Sequence, residues 1–443
     1  LRTRLLALVA LLGLAFSVAA LPANAQDGPV AGAPMPAPPT PPTESGPVAP
    51  AEATVTGIRS MATGYYQSCA VLNNGQARCS GYNEYGQLGD GTTDDHTRAV
   101  SVRNRFDTGP LTGVVQMAAG DYHTCALLTN QEVRCWGYNS AGQLGDGTTD
   151  DHHLPTPVKN VGGVGRLDNV VQITASDEQT CAVLTSGQAR CWGDNAAGEV
   201  GDGSDGNDRY APRRVLSVSG PGYLTQVSQI DSGDDHTCAR LTNGQARCWG
   251  YGYYGELGND DDADHARPVV VRAATGTGPL SGVRQISAGG YHSCAVLNNN
   301  QARCWGYNYY GNLGDGTDDD RDRPVVVKNT SGSGPLLGVS NVVAGAYHSC
   351  ALLTNDQVRC WGENDYDEVG NGIESGPNVP LPVAVRNRLD TGNLVGVRSL
   401  VATSYNSCVT LNNGQGRCWG YDSYGSFGNG TTDQQPLPVI FSS

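Results

Sequence analysis

The residues best placed to do chemistry are fourteen cysteines in seven pairs. Cys69 pairs with Cys79, Cys125 with Cys135, Cys181 with Cys191 and Cys238 with Cys248, each ten residues apart. The same spacing joins Cys294 with Cys304, Cys350 with Cys360 and Cys408 with Cys418. Such pairs could be disulfides, or reduced thiols packed inside a fold. Each brackets a run such as CAVLNNGQARC, in which Ala70-Val71-Leu72 faces Gln76-Ala77-Arg78 across three loop residues. A three-residue hairpin loop usually ends in the left-handed region. The residues at that place are Gly75, Gln131, Gly187, Gly244, Asn300, Asp356 and Gly414, and Gly, then Asn and Asp, tolerate positive φ best. This hairpin sets paired cysteines opposite one another, with Cα atoms ~4.5–5.5 Å apart, which suits a disulfide. Each bridge adds about 2–3 kcal/mol in the chain-entropy model.

Histidine and aspartate offer the other chemistries. His123, His236, His292 and His348 end Gly-x-x-His motifs, but Gln67, Gln179 and Asn406 take the same place in other copies. Amides replace imidazole as hydrogen-bonding groups but not in acid–base work, so these histidines read as structural. His96, His152, His153 and His265 lie in acidic loops without a cysteine or His-x-x-x-His partner. No nucleophile elbow, phosphate loop or zinc spacing occurs. The reading is no enzyme, no cofactor and no resident metal. Asp-Gly-Thr-Thr-Asp-Asp loops do gather oxygens of the kind calcium wants. They match no EF-hand loop, and read more simply as solvated acidic loops.

The first cysteines advance by 56, 56, 57, 56, 56 and 58 residues, and a period in the fifties with short β-like runs predicts one propeller blade per repeat. The fold class is all-β, a seven-bladed β-propeller with each blade stapled by a hairpin disulfide. Four strands are expected per blade. The first is Val114 to Ala118 and its equivalents, such as Val283 to Ala288. The cysteine hairpin supplies the second and third. The fourth is a proline-led run, Arg323 to Val327, Arg267 to Val271 or Leu437 to Ile440. Proline at a strand start fits an outer edge, which puts the first strand near the axis.

Alternation of strands then places the loops between strands one and two, and between three and four, at one end of the disc. Of 20 tyrosines, all but Tyr210 and Tyr223 fall in or beside these loops. Four acidic clusters are expected at the same end. They are Asp90 with Asp94 and Asp95, Asp146 with Asp150 and Asp151, Asp260 to Asp262 with Asp264, and Asp315 with Asp318, Asp319 and Asp320. Arg103, Arg105, Lys159, Arg272, Lys328, Arg386 and Arg388 are expected at the other end. Arginine precedes the second cysteine of every pair (Arg78, Arg134, Arg190, Arg247, Arg303, Arg359 and Arg417), and is read as an interblade hydrogen-bond donor or, alternatively, as a basic ligand-binding ring. Trp136, Trp192, Trp249, Trp305, Trp361 and Trp419 follow that cysteine and are read as packing residues, with Ser80 replacing one.

At the start of the chain, Arg2 and Arg4 precede an apolar run from Leu5 to Ala20, and Ala23-Asn24-Ala25 forms a small-x-small cleavage site. Residues 1–25 therefore read as a signal peptide. Residues 26–53 read as a proline-rich spacer and 54–443 as the propeller. Secretion, to the periplasm or the extracellular space, agrees with the even cysteine count. No later run is long enough for a membrane span. The net charge of −15 and pI near 4.8 make nucleic acid a poor partner.

Repeats such as AGDYHTCALLTNQEVRCWGYNSAGQLGDGTT closely resemble the regulator of chromosome condensation repeat family. All seven copies carry the resemblance, through the Gly-x-x-His and Trp-Gly-x-Asn-x-x-Gly-x-Leu-Gly motifs. It implies a seven-bladed propeller, often closed by a strand from one terminus that completes the other's blade. The eukaryotic founder is a nucleotide exchange factor for a small GTPase. A secreted member inhibits β-lactamases by pressing one propeller face onto the enzyme, and is the nearer precedent for an exported, acidic chain. The leading expectation is a monomeric secreted propeller that binds a protein partner, as an inhibitor-type recognition module. Its contacts are expected at Tyr85, Tyr122, Tyr253, Tyr254, Tyr291, Tyr309, Tyr310, Tyr347, Tyr366 and Tyr424, since tyrosine supplies large contact area with few rotors. A calcium-dependent carbohydrate-binding or surface-adhesion module is the alternative. A guanine-nucleotide exchange factor ranks third, because no blade carries a long wedge-like insertion.

Overall fold

Within each repeat the two cysteines sit opposite one another in an antiparallel pair. Cys69 faces Cys79, Cys125 faces Cys135, Cys181 faces Cys191 and Cys238 faces Cys248. Cys294 faces Cys304, Cys350 faces Cys360 and Cys408 faces Cys418 in the same register. All seven pairs are disulfides with Cα atoms 4.1 Å apart, a little closer than the expected spacing. The hairpin loop has the expected conformation in every copy. Its third residue has positive φ whether it is glycine, as at Gly75 (75°), or Gln131 (65°), Asn300 (59°) or Asp356 (61°). The computed structural model describes residues 54–443; the expected signal peptide and spacer lie outside the described residues.

Repetition of this unit builds seven four-stranded antiparallel sheets, each in simple sequence order. Blade 1 comprises Ile58–Thr63, Gln67–Leu72, Ala77–Gly81 and His96–Ser101. The first strands of blades 2 to 7 are Val114–Ala119, Val170–Ser176, Val227–Ser232, Val283–Ala288, Val339–Ala344 and Val397–Ala402. These seven strands line the axis together. The fold is the all-β, seven-bladed propeller that the repeats imply.

The fourth strand is the outer edge, as expected, but it is displaced in sequence. It runs Arg321–Val326, His265–Val270 and Gln435–Ile440, so proline lies inside it. Cys304 pairs with Val325 and Gly306 with Arg321, with a register shift between them. Pro324 falls in that bulge, where a missing N–H breaks no ladder.

A small core fills each space between blades. The six tryptophans are fully buried, and each indole donates to a carbonyl of the preceding blade: Trp136 Nε1 to Gln87 O (2.9 Å), Trp305 Nε1 to Glu256 O (2.8 Å). The arginines beside the second cysteine do not cross between blades. Arg190, Arg247, Arg359 and Arg417 fold back onto their own hairpins, where each donates to the preceding residue's carbonyl and to the glutamine two positions earlier. Residues i and i+2 share one face of a strand, so the glutamine is the nearer acceptor. Glutamines of the first strands make the interblade bonds instead. Gln116 Nε2 donates to Ile173 O (2.8 Å) while its Oε1 accepts from Ile173 N (3.1 Å). Gln172, Gln229 and Gln285 repeat this with Ile230, Ile286 and Val342. Arg59, Arg284 and Arg398 add donors to carbonyls of the next blade.

The ring closes without strand exchange. Blade 7 completes its own sheet with Gln435–Ile440, and blade 1 begins its own with Ile58–Thr63. Thr54 bridges Ser442 just as Arg103 bridges Pro110 and Arg386 bridges Asn393 in the continuous loops. The first and last described segments, at Thr54 and Ser442, therefore meet where a blade-linking loop would otherwise run.

Candidate functional site

Two sets of loops meet at one end of the disc because glycine lets their backbones touch. Gly137 has φ 106°, and a Cβ there would lie 2.5 Å from Tyr122 O. The close approach allows Tyr138 N to donate to Tyr122 O at 2.9 Å, so the Gly-x-x-His loop and the loop after the third strand form one surface. Side chains at the Gln87 place brace the second loop. Gln87 accepts from Tyr85 N (3.1 Å), Glu256 from Tyr254 N (2.9 Å) and Glu368 from Tyr366 N (3.0 Å).

This bracing arranges the tyrosines into one connected set of ring contacts. It passes from Tyr138 to Tyr85 (centroids 4.7 Å apart), from Tyr66 to Tyr424 (4.9 Å) and from Tyr366 to both Tyr405 and Tyr421 (5.1 Å each). It continues from Tyr405 to Tyr347 (6.1 Å), to Tyr310 (5.2 Å) and through Tyr307 to Tyr254 (5.0 Å). Tyr122, Tyr253, Tyr291 and Tyr309 join by further edge-on or stacked contacts. All ten tyrosines expected at a binding surface belong to this set. Tyr309, Tyr253 and Tyr366 are the most open, at 66, 42 and 38 % exposure. Burial holds the phenols of Tyr122, Tyr307 and Tyr347 above the usual range, so they stay neutral.

The network runs through blades 2, 1, 7, 6, 5 and 4 and stops at blade 3. There Glu178 takes the place of Tyr66, Tyr122 and Tyr291, and Asp194 the place of Tyr82 and Tyr138. One position nearer the axis, Asp121, Asp177 and Asp234 stand in blades 2 to 4, where blades 5 to 7 carry Gly290, Ala346 and Ser404. Sequence reasoning missed these carboxylates. The signal that finds them is a comparison of copies at the loop positions where blade 3 has no tyrosine.

The acidic loop clusters do not all share the tyrosine end. Asp95, Asp151, Asp264 and Asp320 do, each accepting from the backbone N–H that starts the loop, as Asp151 does from Asn139 N at 2.8 Å. Asp90, Asp146 and Asp315 lie farther along, on the rim, paired with His96 (2.9 Å), His152 (2.8 Å) and Arg321 (3.1 Å) of the fourth strands. A Cβ on Gly91 would come within 4 Å of Asp107 in the opposite-end loop, which shows how far the acidic loop descends. Ion pairing and threonine hydrogen bonds hold the Asp146 carboxyl down, at about 2. Among the described residues, no group of three or more His, Cys, Asp and Glu side chains is placed to hold a metal ion.

The motif histidines are structural. His123 Nε2 lies 2.8 Å from Thr180 Oγ1, whose hydroxyl donates to Gln143 O at 2.9 Å. The histidine is therefore the donor, in its Nε2–H form. His236–Ser293–Glu256 and His292–Ser349–Asn312 repeat the relay across other boundaries. Burial lowers these imidazoles, to about 4 at His123 and about 3 at His236, His292 and His348. Gln67 does the same work through its amide, donating to Gly120 O at 2.8 Å.

Residues 110–442 match the RCC1-like domain, and residues 58–87 and 74–127 match the regulator of chromosome condensation (RCC1) repeat. The chain belongs to the RCC1-like family. The ultraviolet-B receptor UVR8 of Arabidopsis thaliana is 29 % identical over 324 residues, covering 73 % of this chain and 69 % of that protein. The E3 ubiquitin-protein ligase HERC2 of Mus musculus is 27 % identical over 370 residues, 82 % of this chain. The matched region spans only 7 % of HERC2. Yeast RCC1 (Prp20), solved bound to Kap60, superposes with TM-score 0.66 at 21 % identity, over 88 % of this chain and 85 % of that one. Human WBSCR16 gives 0.65 at 20 % identity, over 79 and 85 %. At these identities the two structures establish the fold. Among the described residues, no helix is long and apolar enough to cross a membrane.

Proposed function

We propose that this RCC1-like propeller is an exported recognition protein that docks a protein partner on its tyrosine-rich end. The observation that carries the reading is the single tyrosine network spanning six blades, open to solvent at Tyr253, Tyr309 and Tyr366. Tyrosine gives a large, pre-ordered contact surface at low entropic cost and is enriched at interface hot spots. Inhibitor-type recognition, in which one face covers a partner's working surface, fits this end, whose loops are braced by Gln87, Glu256 and Glu368. A role in binding rather than catalysis is supported by the histidines, whose Nε2 atoms are spent on contacts between blades. Yeast RCC1, of the same fold, has been solved with a protein bound.

Export is supported by Arg2, Arg4 and the Leu5 to Ala20 run, and by seven disulfides, which persist in oxidising compartments. N-terminal sequencing of protein recovered outside the cytoplasm should begin at Gln26. The docking face is tested by capturing a partner with the folded propeller from the secretome of the producing organism, then mapping amide-exchange protection in the complex. Protection is expected in the loops around Tyr122, Tyr253 and Tyr309. Protection confined to the loops around Arg103, Lys159 and Arg386 would overturn the reading.

A further inference from the structure

The break in the tyrosine network is itself a shaped feature. Asp121 and Asp234 open into an axial cavity of about 310 Å³ that all seven first strands line. Among the described residues, no ion pair includes Asp121, Asp177 or Asp234. Asp234 accepts one bond, from Ser176 Oγ at 3.1 Å. Asp231, in the same wall, is by contrast fully engaged by Thr174 Oγ1 and Ala288 N, both at 3.1 Å.

A second observation points into the same space. Thr63 and Ser232 line the cavity at 4 and 5 % exposure, and their hydroxyls have no hydrogen-bond partner. Buried hydroxyls are normally paired, and half-buried carboxylates such as Asp121 and Asp234 gain from a cationic partner. Burial together with mutual repulsion raises Asp121 and Asp177 well above the ordinary carboxylate range, and burial raises Asp234. Tyr122 follows Asp121 in the chain, and Tyr65, Tyr122, Tyr291 and Tyr347 belong to the tyrosine network at this end of the disc.

We propose that this gap receives one lysine or arginine side chain protruding from the protein partner, its cationic head seated between Asp121 and Asp234 at the mouth of the axial cavity, with Asp177 beside Asp121. The proposal rests on the docking face proposed above and specifies what must project from the partner. An ammonium carries three donors and no acceptor, and a guanidinium five donors. Either can be met here by carboxylate and hydroxyl oxygens. The tyrosines supply contact area, and the aspartates of blades 2 to 4 supply the charge that sets the partner's register.

The test uses the intact propeller in amide-detected NMR, titrated with N-acetyl-lysine methylamide, N-acetyl-arginine methylamide and the neutral norleucine analogue. Saturable shifts are expected at Asp121, Asp177 and Asp234 with the two cationic probes. They should weaken at least about tenfold with norleucine and in the combined variant Asp121→Asn, Asp177→Asn, Asp234→Asn. That variant should melt above the native protein, because like charges are removed, so lost binding is not lost folding. Equal shifts with norleucine, unchanged shifts in the variant, or shifts produced by calcium chloride and not by the lysine probe would each overturn the proposal. With a captured partner the two readings separate. Binding that falls when Tyr253, Tyr309 and Tyr310 become alanine, but survives the asparagine changes, defeats the cation site and leaves the docking face standing.

Discussion

Ser80 of blade 1 donates its hydroxyl to the carbonyl of Ser426 in blade 7 across 2.8 Å. Every other boundary makes this bond with a tryptophan indole. The volume missing at Ser80 is refilled by Phe427 and Phe441, both fully buried, where the other boundaries have residues such as Leu88 and Val102. Three substitutions thus preserve one packed volume at the seam between blades 7 and 1.

Restoring the missing tryptophan alone should therefore harm the protein. Ser80→Trp is expected to cost about 1–3 kcal/mol by overpacking, read as a lower denaturant midpoint. Adding Phe427→Leu and Phe441→Val should recover most of the loss. A single variant as stable as the native protein would show that the seam has spare room.

The seven bridges should all be present and should add stability. Mass spectrometry of exported protein is expected to find each bridge within its own repeat, from Cys69–Cys79 through Cys181–Cys191, Cys238–Cys248 and Cys350–Cys360 to Cys408–Cys418, and no free thiol. Converting Cys125 and Cys135 together to alanine should cost about 2–3 kcal/mol, and reductant should lower the melting temperature of the native protein.

Much of this fold was legible because cysteine spacing sets hairpin register and register sets everything on the strand. Ten residues from Cys125 to Cys135 leave one loop length, and the third loop residue then needs positive φ even when it is Gln131. What stayed hidden depended on side-chain reach. Arg190 bonds Ala189 O and Gln188 Oε1 in its own hairpin, and a long, flexible side chain leaves the choice of acceptor open in sequence. Gln116 mimics a strand partner only because neighbouring first strands converge on the axis. The tyrosine end follows from loop order alone. The acidic gap around blade 3 is invisible to a search for clusters contiguous in sequence, because Asp121, Asp177 and Asp234 are brought together only by the packing of three successive blades.

Buried histidine predicts a pH dependence with a definite sign. An unfolded imidazole takes up its proton near the usual value of 6.5, whereas His123 in the fold resists it until about 4. Its neutral form thus stabilises the protein fully above about pH 6.5, and that stability is lost as pH falls toward 4. His123→Gln, using the residue found at positions 67 and 179, removes the penalty. Relative to the native protein, the variant should gain up to about 1.4 kcal/mol per pH unit between about pH 6 and about pH 4. A pH-independent difference in unfolding free energy would contradict the assignment.

The central claim is that the tyrosine-rich end does the binding, and one comparison of affinities tests it most directly. Tyr253, Tyr309 and Tyr310 are changed together to alanine, and in a separate variant Arg103, Arg105 and Lys159 are changed to alanine at the opposite end. Each variant is measured against the captured partner once its melting temperature is known to match the native protein. The tyrosine variant should lose roughly a thousandfold in affinity if two of the three are hot spots, and the basic variant should bind as the native protein does. Loss of binding in the basic variant with full affinity in the tyrosine variant would contradict the account.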